Sequence, residues 1–127
     1  MKILIFVLVL SLCSCATHLT DGSVSPSAAN QRKVELDGHP IAVRGYLIHE
    51  PEAYALWDSP SAMKNGDASK CVSILYPANL RESIASHNRT MVRIHGVFRR
   101  NITSENRIYL GLCNYTGVEV SQIGDEQ

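Results

Sequence analysis

The sequence predicts a small, mainly β domain: five strands closing into a barrel, with one short helix between the third and fourth. Three observations carry this. Strand-favouring residues alternate with polar ones over residues 41–49 and 90–99. These two stretches repeat one arrangement, HPIAVRGYL and TMVRIHGVF, in which Ile41 matches Val92, Val43 matches Ile94 and Gly45 matches Gly96. A Gly inside a strand marks a bulge or a sharp bend at a barrel corner. Only one stretch, residues 77–88, reads as a convincing helix. The 127 residues, 45% of them apolar, suit one globular domain and exclude a large multidomain enzyme.

Taken in order, Val34 and Leu36 bring strand-type residues, and Asp37-Gly38 is a turn signal. The first clear strand is 41–49, with Ile41, Val43, Gly45 and Leu47 on one face. Glu50-Pro51-Glu52 interrupts it, and 53–57 is a shorter second strand. Residues 58–70 (DSPSAMKNGDASK) read as a loop with Ser-Pro and Asn-Gly turn pairs, and 71–76 as the third strand. In the helix, Asn79 is the expected N-cap, Glu82 follows three residues on, and Leu80 and Ile84 share a face. Residues 90–99 are the fourth strand, with Val92, Ile94 and Phe98 inward and Arg93, His95 and Arg99 outward. A polar hairpin loop, 99–106, leads to strand residues 107–113 and, past a break at 114–117, to 117–123.

The N-terminus reads as an address. Lys2 precedes a ten-residue apolar run, 3–12, too short to span a bilayer but suited to a secretory signal. Two cleavage sites compete. Ser14-Cys15-Ala16 suits an ordinary cut after Ala16. Leu12-Cys13-Ser14-Cys15 resembles a bacterial lipobox, and the resemblance implies cleavage before Cys15 and a diacylglyceryl group on its thiol. By resemblance to lipoprotein sorting, Ala16 rather than Asp after that cysteine implies the outer membrane of a Gram-negative cell, facing the periplasm. Residues 1–14 are then signal peptide and 15–33 an anchor and tether. The stretch ATHLTDGSVSPSAANQ, rich in small and polar residues, reads as a flexible spacer. Three Asn-x-Ser/Thr triplets, at Asn88, Asn101 and Asn114, keep a eukaryotic secreted protein as the alternative.

The element order β-β-β-α-β-β over residues 34–123, with 124–127 as a tail, resembles the OB-fold. It is similar to the small OB-like domains of uncharacterised bacterial lipoproteins and periplasmic proteins. A β-sandwich or another small barrel stays open beside it. Of the four cysteines, removal of Cys13 and acylation of Cys15 leave Cys71 and Cys113, an even pair that reads as one disulfide in an oxidising compartment. Alternation turns both of them outward, on strands that an OB barrel makes neighbours.

No nucleophile elbow, P-loop or G-x-G-x-x-G is present, and the histidines at 18, 39, 49, 87 and 95 form no metal-ligand spacing. No catalytic residue, cofactor or metal is therefore predicted. Glu50, Glu52 and Asp58 flank the first hairpin and read as turn residues, with acid–base work as the alternative. Twelve basic and 12 acidic residues remove any overall pull toward nucleic acid. The arginines, however, gather late: Arg89, Arg93, Arg99, Arg100 and Arg107, with only Glu105 opposing. Arg44 and Tyr46 on the first strand, with Arg93, His95, Arg99, Arg100 and Arg107, form a candidate face for an anionic partner. That partner would be an oligosaccharide, a lipid headgroup, a nucleic acid or an acidic protein surface. The plain alternative is a solvated face. With aromatics at 6% and Trp57 the only tryptophan, a base-stacking platform is disfavoured. The expected function is a non-enzymatic, lipid-anchored envelope protein that works as a binding or assembly module on an unknown envelope protein or anionic ligand. The alternatives are a secreted inhibitor or immunity-type protein and a small barrel hydrolase or nuclease.

Overall fold

The computed structural model describes residues 22–103 and 111–126. The strands are β1 (Pro40–Glu50), β2 (Ala53–Trp57), β3 (Cys71–Leu75), β4 (Met91–Arg99) and β5 (Gly117–Asp125). They form one mixed sheet that closes into a ring in the order β1-β2-β3-β5-β4, with β4 returning to β1. Every pairing is antiparallel except β3 with β5. Among the described strands closure leaves no long edge to pair with another chain.

Strand alternation fills the interior. Val43 and Leu47 on β1, Leu56 on β2, Val72 and Ile74 on β3, Val92, Ile94 and Phe98 on β4, and Val118 on β5 make one core. The inward residues expected on β4 are all fully buried. A 3-10 turn, Ala78–Leu80, runs into the helix Arg81–Ser86, which packs Ile84 into that core with Leu80 half-buried beside it. The helix lies between β3 and β4 as expected, but its start has no side-chain cap, and the exposed Asn79 does not serve as one.

The two matched glycines answer to one need. A Cβ at Gly45 would lie 2.5 Å from the Trp57 carbonyl oxygen, and one at Gly96 2.2 Å from that of Glu119. Only Gly96 also marks a register shift, between His95 and Gly96 in the β4–β5 pairing. Both bends bring backbones together where no side chain fits.

Three segments differ from the sequence reading. Residues 22–36, expected as tether and strand, join the domain. Val24 bridges in parallel to Val43, its N–H donating to the Ala42 carbonyl at 2.9 Å. Helix α1 (Pro26–Gln31) buries Pro26 and Ala29, and α2 (Lys33–Leu36) buries Leu36 while Val34 stays exposed. Residues 58–70 hold helix α3 (Pro60–Asn65) and a 3-10 turn, Ala68–Lys70. With α3 placed, the helix Arg81–Ser86 is α4. Two of the three unforeseen α-helices, α1 and α3, start on Ser-Pro: Ser25 Oγ accepts from Ala28 N–H and Ser59 Oγ from Ala62 N–H, with Pro in the first turn. Ser-Pro serves equally as a turn pair and as N-cap plus first helical residue, so the dipeptide does not discriminate. Gly66, in the left-handed region at φ 65°, ends α3. Finally, of the strand expected over 107–113, residues 107–110 lie outside the described residues and 111–113 are turn and bend.

The glycine account predicts that Gly96→Ala lowers unfolding stability in urea by about 2–3 kcal/mol, through a backbone clash that no rotamer relieves. Gly124→Ala, where a Cβ would meet nothing within 4 Å, should change it by less than about 0.5 kcal/mol. Equal effects at the two positions would contradict the account.

Candidate functional site

Cys71 opens β3, and its sulfur is bonded to Cys113 with the Cα atoms 6.4 Å apart. The disulfide closes a 42-residue separation, which in the chain-entropy picture stabilises the fold by about 4 kcal/mol. The expected pairing is present, but not as two outward cysteines on adjacent strands. Cys71 is fully buried, and Cys113 sits in the bend before β5. The outer face of β3 is covered because α1 and residues 113–116 lie over it. Ser73 donates its N–H to the Thr116 carbonyl at 3.0 Å, and its Oγ accepts the Cys113 N–H at 3.1 Å.

Two amides lock this cover in place. Asn30 of α1 donates to the carbonyls of Ser69 (3.0 Å) and Cys71 (2.7 Å), and Asn114 to those of Ala68 and Cys71 (both 2.7 Å). The Thr116 hydroxyl sits 2.6 Å from Asn30 Oδ1 and 2.8 Å from Asn114 Oδ1, and the Thr116 N–H donates to the latter at 2.9 Å. Asn114 and Thr116 thus turn inward, and Tyr115 between them is thrown outward, 69% exposed.

The arginine-rich face is divided in the fold. Arg44 and Arg93 are register partners across β1 and β4, with Tyr46 opposite Met91 and His95 opposite Ala42, so these four share one outer surface. Arg44 is ion-paired with Glu126. Arg99 instead meets Glu119 across β5 at 3.2 Å, Arg89 meets Glu50 at 2.6 Å, and Arg100 lies 3.5 Å from Asp37. Arg107 lies outside the described residues. The carboxylates that oppose these arginines come from distant parts of the chain, which sequence neighbourhood could not reveal. Arg44, Arg89, Arg99 and Arg100 thus form a mosaic of paired charges.

The carboxylates of the first hairpin serve separate structural bonds. Glu50 accepts from Arg89 and from Asn88. Those bonds, Arg89 first, hold its carboxyl below its ordinary range. Asp58 accepts the Ser27 N–H at 2.8 Å, where α1 begins, and shares with Arg44 the wall of a small cleft of about 280 Å³. Glu52 sits at the hairpin turn with φ 61°. Among the described residues no group of three or more His, Cys, Asp or Glu is placed to hold a metal ion.

The sequence reading also missed an aromatic group. His49 and Tyr54 are register partners across the first hairpin, and Tyr76 closes on both. The His49 Nε2 is 2.6 Å from the Tyr76 hydroxyl, with ring centroids 5.0–6.5 Å apart across the trio. Burial, then the nearby Tyr54, raises the Tyr76 phenol above its ordinary value. The two tyrosine rings pack against the core and His49 lies against both, so the group reads as structural.

Two larger clefts remain. One, about 580 Å³, is mostly apolar and is lined by Val24, Leu36, Ile41, Gly96 and Val97 among others. The other, about 610 Å³, brings together polar and charged residues, Lys33, Lys70, Arg100, Asn30 and Asn114, with Tyr115, although much of the surface they present is carbon. Of the residues expected on a ligand face, only Arg100 lines this second cleft.

No protein-family model matches the chain, and no curated protein matches it. Among solved structures, the chain is similar to an OBody bound to hen egg-white lysozyme, at 17% identity over 70% of this chain and 82% of that one, with a TM-score of 0.44. It is also similar to asparaginyl-tRNA synthetase from Pyrococcus horikoshii. With asparaginyl-adenylate bound, the identity is 16% over 75% of this chain, with a TM-score of 0.44. In a second structure of that enzyme it is 17% over 72%, with a TM-score of 0.43. The chain spans about a fifth of the synthetase chains.

The Glu50 bonds carry a pH dependence. A carboxyl whose folded value is depressed contributes stability above its unfolded value and loses it as pH falls through the folded one. The contribution should therefore be full above pH 4.5, Glu50's ordinary value, and fade below it. A Glu50→Gln variant should show a flatter loss of stability than the wild type in urea melts between neutral and acid pH. Superimposable pH profiles would contradict this role.

Proposed function

We propose that the chain is a non-enzymatic, lipid-anchored cell-envelope protein whose OB-like domain acts as a binding or assembly module. The OB-like reading is supported by the strand order, the single parallel pair β3–β5 and a helix between β3 and β4. The observation that carries the envelope reading is the Cys71–Cys113 bond. Disulfides persist in oxidising compartments and are rare in the cytosol. With those two cysteines paired, Cys15 is the remaining thiol at a lipobox-like site and Cys13 falls in the part removed. Among the described residues no helix is long and apolar enough to cross a membrane, so attachment would rest on the lipid. More than one acyl chain gives stable anchoring.

The docking of Val24 on β1 shortens the tether. From Cys15 to Val24 a fully extended chain reaches about 30 Å, so the domain would ride close to the bilayer rather than far above it.

Expression in a Gram-negative host tests the anchor. Wild-type protein should sediment with outer membranes, and its precursor should accumulate when lipoprotein signal peptidase is inhibited with globomycin. Cys15→Ala should abolish lipid labelling and release the chain from membranes. A Cys15→Ala protein that stays membrane-bound, with no precursor accumulating under the drug, would overturn the reading.

A further inference from the structure

We infer that the polar cleft beside the disulfide binds an acidic saccharide. The inference deepens the binding-module reading and rests on it. The cleft is built from four separate parts of the chain: α1 and α2, the 3-10 turn before β3, the residue after β4, and residues 114–116. Its volume, about 610 Å³, is that of a small-molecule site and suits two or three sugar rings.

Three features define the ligand. The first is charge. Lys33, Lys70 and Arg100 arrive from three elements. Two carboxylates stand near them: Asp67 is 4.0 Å from the Lys70 ammonium, at the limit of an ion pair, and Asp37 contacts Arg100. Lys33 has no carboxylate partner among the described residues. An anionic group entering the cleft meets Lys33 directly and competes on good terms for Lys70.

The second is the ring. Tyr115 stands 69% exposed, yet its backbone is held tightly, with Asn114 and Thr116 turned inward on either side and its own carbonyl accepting the Ile102 N–H at 2.9 Å. Folding does not require this ring, and the pinned turn fixes where it stands. An aromatic surface whose backbone is already ordered is covered at low entropic cost. The third is the polar lining. Ser27, Gln31 and Ser69 add hydroxyl and amide groups to the cleft wall. An aromatic face for C–H surfaces, hydroxyls and amides for hydroxyl groups, and ammonium or guanidinium groups for carboxylates together match a sugar chain bearing acid groups.

The floor is rigid for a physical reason. Asn30 and Asn114 hold the carbonyls of residues 68, 69 and 71, and the disulfide anchors the same strand end. The site is thus preorganised, and binding need not order it.

The test is titration of the full mature chain with tetragalacturonate, followed by calorimetry and by amide shifts in NMR. Maltotetraose, a neutral chain of equal length, and inorganic phosphate serve as comparisons. Tetragalacturonate should bind with shifts centred on residues 27–33, 68–70, 100 and 114–116. Maltotetraose and phosphate should each bind at least about tenfold more weakly. Tyr115→Ala should weaken binding about tenfold, and Tyr115→Phe should stay within about twofold of wild type, since the ring face is what counts. Lys33→Gln should weaken tetragalacturonate and leave maltotetraose unchanged. Failure to bind tetragalacturonate at millimolar concentration, phosphate binding as tightly, or an unaffected Tyr115→Ala would overturn the inference. Membrane attachment of Cys15 is measured separately, so either proposal can fail alone.

Discussion

The structure turns on the first residue of β3. Cys71 is joined through its sulfur to Cys113, and its carbonyl accepts from Asn30 and Asn114 at once. A buried carbonyl without partners costs free energy, and here both lone-pair directions are occupied by side-chain amides from distant segments. One peptide unit thus ties together α1, the 3-10 turn, β3 and the approach to β5. Because of it, β3 is buried on both faces: Val72 and Ile74 toward the core, Cys71 and Ser73 beneath the cover. The polar cleft lies at the rim of this junction, and its fixed walls follow from it.

Electrostatics follow the same logic of long-range closure. The chain has no formal net charge, and the fold reproduces that balance locally. Arg44 with Glu126, Arg89 with Glu50, Arg99 with Glu119 and Arg100 with Asp37 each join separate parts of the chain. Such exposed pairs add little stability individually. Their effect is to cancel the field that the clustered arginines would project. Recognition by this domain would then rest on local geometry more than on long-range steering, which places weight on the cleft where Lys33 has no carboxylate partner among the described residues.

Period-two alternation made the strands legible. β2 and β4 fall within a residue of their expected bounds, and Val92, Ile94 and Phe98 are buried as alternation requires. The disulfide was legible from thiol parity. Its stated geometry was not, because it assumed a strand at 107–113 and did not foresee that α1 would cover Cys71. The short helices were hidden by their own chemistry. Ser25-Pro26 and Ser59-Pro60 read as turns as readily as helix starts, and α1 buries only Pro26 and Ala29, too little apolar surface to show a helical period. The cleft was least legible. Arg100 stood out in the arginine cluster, but Asn30 and Thr116 are 86 residues apart, and nothing in the triplet Asn114-Tyr115-Thr116 reveals which side chains turn inward.

The central claim is that residues 24–31 belong to the folded domain, held at one end by the Val24 bridge to β1 and at the other by the Asn30 bond to the Cys71 carbonyl. Native amide hydrogen exchange on the full chain tests it most directly. The Ala29 N–H, bonded to the Ser25 carbonyl at 2.9 Å, and the Ser73 N–H, bonded to Thr116, should both exchange far more slowly than unstructured amides. Reduction of the disulfide should speed both together. Exchange of Ala29 at the rate of an unstructured peptide, with Ser73 still protected, would mean that the segment is a free tether and would contradict the account.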